Sequence, residues 1–74
     1  MLRKRSFSLK GHRTSVALEP EFWAVLEAAA APGSLAGLVA AQDEARGTHP
    51  LASRLRLFAL SYALARSGSE VAGR

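Results

Sequence analysis

Arg13-Thr14-Ser15-Val16-Ala17-Leu18 is the stretch on which the fold of this chain turns. In an extended backbone, successive side chains point to opposite faces. Thr14, Val16 and Leu18 therefore share one side, and Arg13, Ser15 and Ala17 share the other. The apolar set is suited to a core and the remaining set to solvent. Residues 7–18 read as extended, with Gly11 marking a bend ahead of the strand. A single strand cannot satisfy its own N–H and C=O groups within its chain, so it must pair with something. The economical partner is the same strand of a second copy, antiparallel across a two-fold axis. The product is a two-stranded ribbon that packs on helices through Val16 and Leu18 and turns Arg13, Ser15 and Ala17 outward. A ribbon of two strands fits the major groove of B-DNA.

Everything after the strand reads as helix. Pro20 suits a first helical turn, where its missing N–H costs nothing, and Glu19 and Glu21 sit at the positive end of the dipole. Phe22, Val25, Leu26 and Ala29 recur at one-face spacing, with Trp23 beside them. Ala31-Pro32-Gly33 breaks this helix. Ser34 is a good N-cap for the next, whose face is Leu35, Leu38, Val39 and Gln42; Gly37 lies inside it and Gly47 ends it. Pro50 opens a third helix with two apolar faces. One is Leu51, Leu55, Phe58, Ala59 and Tyr62, and the other is Leu57, Leu60 and Leu64. A helix apolar on two sides must bury both, and this chain is too short to cover them. Residues 1–6 read as a flexible basic arm, 7–66 as the domain, and 67–74 as a disordered tail.

The 74 residues suffice for one domain, and one this small is marginal alone. With no cysteine there is neither a disulfide nor a thiolate metal site, and His12 and His49 make a poor zinc set. Self-association is the remaining way to complete a core. The dimer core is assigned to Val16, Leu18, Phe22, Leu26, Leu38 and Val39. Trp23, Leu57, Phe58 and Leu60 are assigned to an oligomer interface, in a dimer or a larger assembly.

Charge is distributed unevenly. Residues 1–13 carry Arg3, Lys4, Arg5, Lys10 and Arg13 without an acid, whereas residues 19–45 carry five acids without a base. A basic N-terminal part ahead of an acidic body points to a polyanion partner, the plain alternative being a solvated tail. Lys4, Arg5 and Lys10 are the candidate phosphate contacts. No apolar run approaches the roughly 18 residues of a membrane span, and no apolar h-region follows the basic start. The chain reads as cytoplasmic and nucleoid-associated. No nucleotide loop, HExxH or nucleophile elbow is present, and the neighbouring Asp43 and Glu44 diverge on a helix. No enzyme activity, catalytic residue, metal, cofactor or small-molecule substrate is expected.

Gly11-His12-Arg13-Thr14-Ser15-Val16, then Leu18-Glu19 and Phe22-Trp23, resemble the opening of a bacterial ribbon-helix-helix domain family related to the Arc and MetJ repressors. Leu35 with Leu38-Val39 resembles that family's second helix. Leu51-Ala52-Ser53 with Leu55-Arg56-Leu57-Phe58 resembles the additional third helix of one branch. The resemblance covers about residues 6–65. It implies a mainly α ribbon-helix-helix fold and a sequence-specific, DNA-binding transcriptional regulator, a repressor in its best-known members. Carried over by position, Arg13, Ser15 and Ala17 are the base contacts. Ser34, Leu35 and Ala36 are further phosphate contacts through the amides of the second helix. An arginine can pair bidentately with guanine, and serine can donate or accept. Ala17 departs from the longer polar residue usual in such readers and can only touch a thymine methyl. Two rival readings stand beside this one. The first is an antitoxin that represses its own operon, for which residues 67–74 are short and polar. The second is an oligomeric interaction protein that has lost DNA binding.

Overall fold

A computed structural model describes residues 1–72 of the chain, and side-chain surroundings through residue 67. It contains β1 (Arg3–Leu9), β2 (His12–Leu18), α1 (Pro20–Ala30), α2 (Leu35–Ala45) and α3 (Leu51–Ala72). An N-terminal antiparallel ribbon followed by three helices is the ribbon-helix-helix arrangement expected from the sequence.

The expectation of a single strand needs correcting. β1 takes residues 3–6 of the expected flexible arm together with residues 7–9 of the stretch read as extended, and it pairs with β2 of the same chain. The register runs from Leu9 opposite His12 to Arg3 opposite Leu18. Lys10 and Gly11 make the turn, with φ of 52° and 80°. Two positive φ values in a two-residue loop are the type I′ geometry, whose twist matches that of the strands it joins. Gly11 takes this conformation without a steric cost.

What holds β1 in place is Trp23. Its ring is buried, its Nε1 donates to the Arg3 carbonyl at 2.8 Å, and Phe7 stacks beside it at 6.0 Å between ring centroids. Arg5 reaches across to α1, 2.6 Å from Glu27 and 5.0 Å above the Trp23 ring. Trp23, expected at an oligomer interface, is thus a core residue of its own chain. Its indole needs a hydrogen-bond acceptor when buried, and the first strand supplies one.

The inward parity of β2 holds: Val16 and Leu18 are buried, and Leu9 joins them from β1. They pack with Leu26 of α1, Val39 of α2, and Leu51, Leu55 and Ala59 of α3, with Phe22, Leu35, Leu38 and Phe58 around the margin. The residues assigned to a dimer core therefore already meet within one chain. No buried side-chain polar atom lacks a partner among the described residues.

Helix starts follow the sequence closely. Pro20 is the first residue of α1, and the Glu19 carbonyl accepts from Phe22 and Trp23 at 3.0 and 3.2 Å. The Ser34 hydroxyl accepts from the Gly37 amide at 3.0 Å. A Cβ on Gly37 would sit 3.1 Å from that hydroxyl, so the glycine inside α2 makes room for the cap. α3 runs to Ala72, beyond the helix end expected at residue 66, and residues 73–74 of the expected tail lie outside the described residues. Its second apolar face is uncovered: Leu57, Leu60 and Leu64 are each half exposed or more.

Candidate nucleic-acid interface

Antiparallel pairing decides which residues of the hairpin face outward together. The tight turn makes Leu9 and His12 a hydrogen-bonded pair, and bonded pairs then alternate with non-bonded ones along the ladder. Bonded pairs put their side chains on the helix side. The non-bonded pairs are Ser8 with Arg13, Ser6 with Ser15, and Lys4 with Ala17, and these six share the open face. Ala17 is half-buried and the other five are exposed. Their N–H and C=O groups point away from the partner strand, toward the two outer edges of the ribbon.

The open face is small, hydroxylic and cationic. Ser6 and Ser15 are joined by their hydroxyls at 3.0 Å. Arg13 and Lys4 stand at diagonally opposite ends, and no acid lies on this face. Such a surface offers an arginine fork and hydroxyls to base edges and cations to phosphates. Arg13, Ser15 and Ala17 are brought together as the sequence suggests. Ser6 and Ser8 were missed. Their alternation with Phe7 and Leu9 was the signal that placed them on an open strand face.

The other candidate residues are placed more variously. Lys4 is on the open face and Lys10 is exposed on the turn. Arg5 is on the opposite face, engaged by Glu27 and Trp23, because it has the inward parity of β1. His12 is exposed at the solvent edge beside the turn, in a cleft that it forms with Leu9, Lys10, Thr14, Asp43, Glu44 and Arg46. That cleft takes the C-terminal end of α2. Ser34, Leu35 and Ala36 therefore stand at the far end of an 11-residue helix, about 16 Å from it. The amide of Gly37 is taken by the cap, and those of Leu35 and Ala36 remain free donors among the described residues.

Glu19 and Asp43 are each paired with an arginine. Glu19 accepts from Arg56 at 3.1 Å, and Arg56 also lies over the Phe22 ring. The main chain at Glu19, opposed by desolvation and aided by Arg56, holds its carboxyl below the ordinary value of 4.5. Asp43 is held by Arg46 at 2.7 Å, and Arg54 donates to Gln42 at 2.8 Å. Arg54 and Arg56 of α3 thus pair with Gln42 and Glu19. Among the described residues no three metal-binding side chains converge, and no single helix is long and apolar enough to cross a membrane.

Residues 2–63 match a family model described as a ribbon-helix-helix domain. Domains of this kind generally bind DNA as transcription regulators, are not enzymes, and typically dimerise. Comparison with curated proteins and with solved structures returns no significant match.

Proposed function

The chain belongs to the ribbon-helix-helix family, and from that premise we propose that it is a homodimeric regulator of transcription that reads the major groove with the open face of β2. The observation that carries this reading is the acid-free face on which Arg13, Ser15 and Ala17 lie. Arg13 is the principal base reader, Ser15 a secondary one, and Ala17 a thymine-methyl contact. Lys4, Lys10 and the free amides of Leu35 and Ala36 at the Ser34 cap serve as phosphate contacts, the helix dipole favouring an anion there. Arg5 joins them only by giving up Glu27. A protein with this function would work in the cytoplasm, on the nucleoid.

The two edges of the ribbon differ in a way that selects the dimer. β1 carries Arg3, Lys4 and Arg5, and pairing it with its own copy would bring six cations together. Edge charges of this kind discourage pairing. β2 carries one formal cation, Arg13, and its outer edge offers N–H and C=O groups of Arg13, Ser15 and Ala17 that are unpaired among the described residues. A two-fold axis at Ser15 sets Arg13 against Ala17 of the second copy and keeps the arginines apart. The half-exposed leucines of α3 provide a second self-contact, for assembly beyond the dimer.

Titration of duplex DNA with the wild-type protein and Arg13→Ala tests the role of the ribbon. The variant should lose about 1–3 kcal/mol of preference at one base position of each half-site. Unchanged discrimination between the preferred duplex and a scrambled one would remove Arg13 from the reading face.

A further inference from the structure

We propose that β1 is a second DNA-contacting strand, which lies along the rim of the groove and holds the sugar-phosphate backbone through Lys4 and the outward amides of Lys4, Ser6 and Ser8. This rests on the DNA reading above and deepens it, adding to the Lys4 contact the outward main chain and serines of β1, which that reading does not use.

The argument begins with width. Joining two hairpins through β2 gives a sheet in the order β1-β2-β2-β1. Neighbouring strands lie about 4.8 Å apart, so the outer backbones are about 14 Å apart. The major groove is about 12 Å wide. The central pair therefore enters, and the outer pair meets the phosphate rows on either side.

The residues of β1 suit that position. Lys4, Ser6 and Ser8 are exposed and share the face of Arg13, Ser15 and Ala17. Their outer-edge N–H groups have no main-chain partner among the described residues. Serine is short enough to let the backbone approach a phosphate, and both its amide and its hydroxyl can donate. Lys4 lies directly opposite Ala17. It puts a cation at the end of its own hairpin where β2 has only a methyl group, and Arg13 serves the hairpin's other end.

β1 is also held before DNA arrives. The Trp23 bond to Arg3 and the Arg5–Glu27 pair fix the strand to α1. An arm ordered only on binding would lose conformational entropy at that moment, and a docked strand has already lost it. The hydroxyl bond between Ser6 and Ser15 couples the rim strand to the reading strand.

Phosphate contacts carry affinity without sequence information, which separates this role from that of Arg13. The full chain is titrated, over a range of salt, with a mixed-sequence duplex and with a duplex selected for tight binding. Lys4→Gln should lower the slope of log affinity against log salt by about 1 per chain on both duplexes, leaving their affinity ratio unchanged. Ser6→Pro deletes an outward amide hydrogen and no ladder bond, because Ser6 belongs to a non-bonded pair. It should weaken binding to both duplexes by the same factor, about tenfold for a hydrogen bond to a charged group. Wild-type binding with both variants unchanged in slope and affinity would overturn the rim role and leave the role of β2 standing. Failure of the wild-type protein to bind either duplex would overturn the DNA reading itself.

Discussion

Trp23 does at the scale of one residue what the sequence pattern alone does not suggest. Lying beside the apolar face of α1, it fills the core and uses its one polar atom to fix β1. Trp23→Phe should keep most of the packing and lose the bond to Arg3, costing about 1 kcal/mol. Trp23→Ala should cost about 3–5 kcal/mol through the cavity it leaves. Urea unfolding midpoints distinguish the two, and equal small losses would show that the indole is not a core anchor. Glu19 gives a prediction in pH. Its folded carboxyl titrates below 4.5. Its contribution is therefore present above the unfolded value and is lost as pH falls through the lower folded one. Glu19→Gln should remove that part of the acid dependence, and unfolding curves for the two proteins should converge toward low pH.

At the scale of elements, the turn and the caps carry the architecture. Gly11→Val forces a β-branched residue to a φ of 80° and should destabilise the hairpin by about 1–2 kcal/mol. Ser34→Ala should cost about 1 kcal/mol by freeing the Gly37 amide. Both are read from thermal or urea melts. The helices, their breaks at Pro32-Gly33 and Gly47, and the parity of β2 were legible because each rests on neighbours in sequence. β1 was not legible, for two physical reasons. Its basic residues look like a solvated arm when counted as charges. The contact that orders it joins Arg3 to Trp23, 20 positions away. Lys10-Gly11 is also a weaker turn signal than Asn-Gly. Phe7 and Leu9 alternating with Ser6 and Ser8 were the remaining trace of a strand. The same omission hid the outward serines of the candidate interface and misplaced Arg5, since neither parity can be assigned before the strand is recognised.

The described residues form a small core that leaves open the acid-free ribbon face with its free β2 edge, and the leucine face of α3. The second should govern assembly. Leu60→Glu should lower the mass seen by sedimentation at high concentration while leaving the β2-paired dimer intact; an unchanged mass would show that α3 takes no part. The first should govern recognition, and it bears the central claim that two copies read DNA through paired β2 strands. Selection of tight-binding sequences from a pool of random duplexes, with the wild-type protein and with Arg13→Ala, tests that claim most directly. The account predicts a site of two inverted half-sites, each losing its preference at one position, most simply a guanine, in the variant. Selection of no shared sequence by the wild-type protein, or of the same site by both proteins, would contradict it.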